Sequence, residues 1–272
     1  MAARQRLLLT AALASCVACV GDLDISGKQC PCPDDWQCDP LTKTCVAEIP
    51  GGAFYARVVL ADRPIAYWRL GERTGSQAHD ELGGHDGLYL GNVELGVAGA
   101  IEGDVDSCVG LDEINDAVEV DDAGAFAFAG APPYSLEAWV FHRVAFPASG
   151  QSVAMLSRAN AASDGLFLGI ANDQLVCSRG GASAIAEAPL AANTWTHVVG
   201  TFDGGLLRLY LNGAEVGSAP ASDALVASTA KFRIGAAPDW PTLNGYVDEV
   251  AVYDRALGAT TIGAHFEAAF QP

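Results

Sequence analysis

Tyr134-Ser135-Leu136-Glu137-Ala138-Trp139-Val140-Phe141-His142 decides the fold class. Side chains alternate across a strand, so Tyr134, Leu136, Ala138 and Val140 line one face, and Ser135, Glu137, Trp139 and Phe141 the other. The first face is apolar enough to build a core. Residues as large as Trp and Phe on the second predict that it is covered as well.

Outward from this segment the same period of two recurs. Trp195–Phe202 (WTHVVGTF), Leu206–Leu211 (LLRLYL) and Tyr246–Tyr253 (YVDEVAVY) are strand-length runs rich in Val, Leu, Thr and aromatic residues. Asn212-Gly213 lies between the Leu206–Leu211 run and Ala214-Glu215-Val216, and both residues tolerate the positive φ of a type I′ hairpin turn. Asp203-Gly204-Gly205 marks another turn. Many short strands between Gly- and Asp-rich turns predict an antiparallel sandwich or barrel. Helical periodicity is confined to Gly258–Phe270, with Ile262, Phe266, Ala269 and Phe270 on one face, and to a short turn over Arg57–Ala61 stopped by Pro64.

The N-terminus carries export chemistry. Arg4 and Arg6 precede the apolar run Leu7–Ala14, about half of the roughly 20 residues a membrane-spanning helix needs, so the run reads as a signal-peptide core. Leu13-Ala14-Ser15-Cys16 resembles the bacterial lipobox, which implies cleavage before Cys16 and lipidation of its thiol. An ordinary secretory signal is the rival reading, and both export the chain. Cys19 is the poorer cleavage point, since Cys16 would then occupy an aliphatic position. Val17 stands where retained lipoproteins of some bacteria carry Asp, which implies the outer membrane.

Cys30, Cys32, Cys38 and Cys45 fall within a stretch of Pro, Asp and Thr with almost nothing apolar to bury (CPCPDDWQCDPLTKTC). Such a segment needs covalent staples, and an oxidising compartment supplies them. Cys30 and Cys32 are too close to pair with each other, which leaves two connectivities. The C-x-C spacing lacks the paired C-x2-C of common zinc sites. Cys108 and Cys177 are either bridged or separate buried thiols. The resulting division is a signal peptide over 1–15, a tether over 16–29, a cysteine-rich stalk over 30–45, a linker over 46–56 and one large domain over 57–272. Net charge is −18 with no basic cluster, which argues against nucleic acid as a partner.

Several motifs then carry a family resemblance. Ala66-Tyr67-Trp68-Arg69-Leu70-Gly71-Glu72, Asp80 and Gly83-Gly84-His85-Asp86-Gly87 come first. Gly110-Leu111-Asp112, Tyr134–Val140, Trp195–Gly204 and Leu209–Gly213 follow, and Gly245-Tyr246-Val247-Asp248-Glu249-Val250-Ala251-Val252-Tyr253-Asp254-Arg255 closes the series. In this order they resemble the laminin-G-like, concanavalin A-like lectin family over about residues 57–270. At Gly110-Leu111-Asp112 the chain departs from the family's usual Phe-Asp-Gly. The resemblance implies an all-β, two-sheet jelly-roll sandwich. It also implies a recognition or adhesion role toward a glycan or surface protein, and a calcium ion near Asp80 and Asp248.

Catalytic chemistry finds no frame. Asp248 and Glu249 are neighbours on a strand, so alternation predicts that they face opposite ways and cannot flank one glycosidic bond. Glu113 and Asp116 sit in a turn-like stretch, and no serine lies in a nucleophile elbow. His79, His85 and His197 read as loop and sheet histidines, and His142 and His265 belong to no constellation. Trp240, between Asp239 and Pro241, is the expected ligand-stacking residue; the rival reading is a Trp that caps the sandwich edge. The sequence therefore predicts a non-enzymatic surface lipoprotein that binds through its sandwich. The alternative is a structural envelope lipoprotein packed on a partner protein.

Overall fold

A computed structural model describes residues 25–33, 36–47, 49, 53–112, 114–143, 152–160, 165–238 and 240–271. The expected signal peptide and Cys16 lie outside these residues. The chain runs through β1 (Gln37–Cys38), β2 (Cys45–Val46), α1 (Ala53–Ala61), β3 (Ala66–Trp68), β4 (Gln77–Ala78), β5 (Gly87–Leu90) and β6 (Glu94–Ala98). Next come β7 (Ser107–Asp112), β8 (Ala117–Val120), β9 (Tyr134–His142), β10 (Ser152–Arg158), β11 (Leu166–Ala171), β12 (Gln174–Arg179) and β13 (Ala182–Pro189). The rest is β14 (Trp195–Phe202), β15 (Leu206–Leu211), β16 (Ala214–Pro220), β17 (Phe232–Ile234), β18 (Asn244–Tyr253) and α2 (Ala259–Ala268).

Two antiparallel sheets form a jelly-roll sandwich. The first has the order β16-β15-β14-β9-β18-β7-β6, with β3 beside β18; the second has the order β13-β12-β11-β10-β17-β8-β5-β4. Leu136, Ala138 and Val140 of β9 point inward to meet Met155, Leu168, Ile170, Leu175 and Phe232 from the second sheet. Trp68 stacks on Phe232 with ring centroids 5.8 Å apart. The Asn-Gly hairpin is present between β15 and β16, with φ of 49° at Asn212 and 81° at Gly213.

The outer face of the first sheet is covered in its middle. Trp139 is buried beneath Tyr55 of α1 and Phe266 of α2, with Ala251 and Val199 beside it. The helix α2 buries Ile262, His265 and Ala268. Phe270, just past the helix end, stays on the expected apolar face: its ring meets Phe266 and Trp139 edge-on, with centroids 5.2 and 6.2 Å apart, although 51% of it is exposed.

The N-terminal module is tied to the body. Disulfides join Cys30 to Cys38 and Cys32 to Cys45, with Cα separations of 5.7 and 5.6 Å. Asp39 accepts the amides of Leu41 and Thr42 and forms an ion pair with Arg57 of α1 at 2.5 Å. Ile49 is buried and its amide donates to the Gln37 side chain. The expected linker over 46–56 is accordingly shorter, since α1 begins at Ala53 and Tyr55 already belongs to the packed body. Cys108 and Cys177 are separate buried thiols, one in each sheet.

One flank of the sandwich is sealed. A Cβ at Gly217 of β16 would meet the Ile185 carbonyl oxygen of β13 at 2.4 Å, so only glycine permits the two edge strands to approach this closely. On the opposite flank β4 has two residues, and the ladder between β6 and β7 is broken by a register shift between Glu94 and Val97.

Candidate functional site

The residues singled out in the sequence do not converge. Asp80 is buried and organises its loop: Oδ1 accepts the amides of Tyr67 and Leu82, and Oδ2 those of Gly84 and His85. Asp248 Oδ2 accepts the amide of Ala100 at 2.8 Å. The two aspartates expected to hold calcium thus serve separate stretches of main chain. Among the described residues no group of three or more His, Cys, Asp or Glu is placed to hold a metal ion.

Asp248 and Glu249 correct the alternation argument. The β18–β9 ladder shifts register between Asp248 and Ala251, and Glu249 takes a φ of 52°. This bulge inserts one residue, so both carboxylates end on the outer side of the sheet. Glu249 accepts from Tyr67 Oη and from Arg69 Nε at 3.1 Å, and Arg69 also pairs with Asp104 and Asp106. Burial raises both acids, Asp248 well above the usual range and Glu249 to about 7. With 3% and 1% of their surface exposed, neither reaches a substrate.

A second buried constellation surrounds Glu137. Its carboxylate accepts from His197 Nε2 at 2.7 Å, His265 Nδ1 at 2.9 Å, Tyr253 Oη at 2.9 Å and Tyr55 Oη at 3.4 Å. His265 Nε2 faces Asp62 at 3.2 Å. Both ring nitrogens of His265 therefore face carboxylates, an arrangement that suits only the doubly protonated ring. The carboxylates of Glu137 and Asp62 overcome burial and raise the His265 pKa to about 10. Glu137 is held well below its ordinary value by the two histidines, again against burial. The network lies under both helices and clamps them to the sheet. It also corrects the expectation that His265 belongs to no constellation.

Trp240 lies on the outer side of the second sheet. It meets Phe167 edge-on, with ring centroids 4.4 Å apart, beside Ala154, Val176 and Ala237. Half-buried there, it covers apolar sheet surface.

The arrangement best suited to a ligand is one the sequence reading did not select. Beyond the helices, the outer face of the first sheet carries one register row across five strands. Glu94 of β6 opposes Gly110 of β7, which opposes Tyr246 of β18; Tyr246 opposes Phe141 of β9, and Phe141 opposes Trp195 of β14. At a strand spacing of about 4.8 Å this row spans roughly 19 Å. The three rings form a compact triangle with centroid separations of 5.8 Å (Phe141–Trp195), 5.4 Å (Phe141–Tyr246) and 6.2 Å (Trp195–Tyr246). All three side chains are half-buried.

Arg143, two residues beyond Phe141 on the same face, lies over the Tyr246 ring at 4.2 Å and faces Glu94 at 3.6 Å. The row then opens into a groove of about 450 Å³ lined by Asn92, Glu94, Gly110, Asp112, Asp116 and Arg143, within the size range of small-ligand sites. Gly110 is its floor: a Cβ there would meet Glu94 Oε2 at 3.0 Å and Tyr246 Cδ1 at 3.3 Å. Asp116 is buried, accepts the amides of Asn92 and Asp112, and is raised by that burial and by the neighbouring Asp112 carboxylate. Apolar rings beside open hydrogen-bonding groups can stack a sugar ring and hold its hydroxyls.

Solved structures share this fold. Domain 4 of AbnA, an extracellular arabinanase from Geobacillus stearothermophilus, in complex with arabinotriose, matches with a TM-score of 0.56 at 19% identity, covering 74% of this chain and 97% of that one. Botulinum neurotoxin type C, whose cell entry depends on interaction with two ganglioside molecules, matches with a TM-score of 0.58 at 14% identity, over 77% of this chain and 52% of the toxin chain. A sialidase from Trypanosoma rangeli matches with a TM-score of 0.56 at 16% identity, over 79% of this chain and 34% of that one. The chain thus spans about half of the toxin chain and a third of the sialidase, and identities this low establish the fold alone. No curated protein sequence matches. The family model for the concanavalin A-like lectin/glucanases superfamily matches residues 112–263, from the end of β7 into α2. That stretch takes in most of both sheets, and the chain belongs to the concanavalin A-like lectin/glucanase superfamily.

Proposed function

We propose that this protein is a non-catalytic carbohydrate-recognition module, held at the cell envelope by a lipid on Cys16. The observation that carries the reading is the aromatic triangle of Phe141, Trp195 and Tyr246 opening onto the polar groove of Glu94, Asp112 and Arg143. A sugar ring stacks on the triangle and presents its hydroxyls to the groove. Saccharide ligands of structurally similar domains, arabinotriose among them, support this assignment of class. The non-catalytic part rests on the enclosure of Asp248 and Glu249, whose carboxylates are occupied by Arg69, Tyr67 and the Ala100 amide.

A glycan array on the exported protein tests it, repeated with Tyr246→Ala and Trp195→Ala. Retention of defined saccharides that both substitutions weaken supports the reading. Retention unaffected by either moves the site elsewhere, with Trp240 and the loop from His79 to Gly87 next to be tested. Release of sugar product from any retained saccharide places the protein among enzymes instead. Loss of all saccharide binding, together with stoichiometric capture of one envelope protein, favours the structural alternative.

A further inference from the structure

The charge around the aromatic triangle narrows the ligand class, given the carbohydrate-recognition reading above. Three carboxylates line the groove against one cation, Arg143. Asp116 is buried with both oxygens bonded to the amides of Asn92 and Asp112, which leaves Glu94 and Asp112 as the carboxylates open to a ligand. Glu94 is solvent-facing, with 64% of its side chain exposed, and Asp112 is exposed. Arg143 is already engaged, lying over the Tyr246 ring and 3.6 Å from the Glu94 carboxylate. The groove therefore offers acceptors in excess, and its guanidinium is shared before any ligand arrives. Sugar hydroxyls are donors and suit such a lining. A sugar carboxylate or sulfate brings a further negative charge beside Glu94 and Asp112, on a chain whose net charge is −18.

Sheet geometry makes this lining a fixed property. Gly110 and Tyr246 set Glu94 in register on the edge strand, and Arg143 is anchored by its amide to the Asn244 carbonyl oxygen at 3.0 Å. We propose that the site selects uncharged, hydroxyl-rich saccharides and rejects those bearing carboxylate or sulfate groups next to the stacked ring. Glu94 and Asp112 set this selectivity, whereas the aromatic triangle sets affinity.

The test is calorimetric titration of the exported full-length protein at low ionic strength. Arabinotriose, xylotriose and cellotriose serve as neutral probes, and trigalacturonate and sialyllactose as anionic ones. At least one neutral probe should bind roughly tenfold or more tightly than either anionic probe, equivalent to about 1.4 kcal/mol. The gap should narrow in added salt and in the Glu94→Gln, Asp112→Asn double variant, while Tyr246→Ala weakens all binding. Anionic probes that bind as tightly as the neutral ones, and are still lost with Tyr246→Ala, overturn the charge selectivity and leave the recognition reading intact. Absence of binding by every probe, or binding indifferent to Tyr246→Ala, removes the recognition site itself and this inference with it.

Discussion

Replacing His265 with Gln tests the clamp around Glu137. The imidazolium bridges Glu137 at 2.9 Å and Asp62 at 3.2 Å, and its side chain has no exposed surface. Removing one partner of a buried ion pair costs about 3–5 kcal/mol, because the remaining charge is left uncompensated. Linkage gives a similar ceiling: raising the imidazole from 6.5 to about 10 corresponds to roughly 5 kcal/mol. For a domain of this size that loss lowers Tm by about 6–20 °C.

The pH dependence is more specific than the magnitude. A raised histidine stabilises fully below its unfolded pKa of 6.5, and that contribution disappears as pH rises through about 10. The depressed Glu137 acts in the opposite sense: it stabilises fully above its ordinary value of 4.5 and is lost as pH falls toward its folded pKa. The clamp therefore contributes most between pH 4.5 and 6.5. Thermal unfolding followed by circular dichroism should show wild-type Tm falling between pH 6.5 and 10, with that limb largely missing in His265→Gln. A variant that melts with the wild type at pH 6.5, or retains the same alkaline limb, would falsify the charged clamp.

Trp195→Ala and Tyr246→Ala should each weaken saccharide binding by about 1 kcal/mol or more and also lower Tm, since each half-buried ring packs on two aromatic neighbours; titration calorimetry well below the melting transition separates the two effects. Peptide mapping of the exported protein should find Cys30–Cys38 and Cys32–Cys45, and a Cys30–Cys45 pair would refute this arrangement. Loop closure in the unfolded chain predicts that losing either bridge destabilises the module by about 3 kcal/mol. Cys16→Ser should release the protein from the membrane fraction and remove its acyl mass; wild-type protein already soluble after export would rule out the lipid anchor.

The sandwich was legible because strand period is local. The segment Tyr134–His142 shows in nine residues a face for the core and a face for something else, and both are covered as expected over Trp139. Asn212-Gly213 announces its own turn. The candidate site was not legible, because it depends on register. Phe141, Trp195 and Tyr246 come from three distant segments, and only the ladder pairing shows that they are opposed. The one local signal was a large aromatic on the second face of each run. The reading of Asp248 and Glu249 failed for a related reason: a bulge is one inserted residue, invisible to a rule of strict alternation until the partner strand is known. His265 escaped notice because its two carboxylate partners lie 128 and 203 residues away in sequence.

The Gly217 seam bears on how copies of this protein tolerate one another. A sandwich normally exposes four strand edges, each a template for recruiting a strand from a neighbour. Here two of those edges, β13 and β16, are turned against each other at Ile185 and Gly217. The two left open are poor templates, one only two residues long and the other broken by its register shift. Among the described residues, molecules crowded at high local density therefore find no long, flat edge through which to polymerise. A bulky residue at position 217 would force β13 and β16 apart and expose both. Its first symptom would be a concentration-dependent loss of monomer on gel filtration, accompanied by growing thioflavin fluorescence.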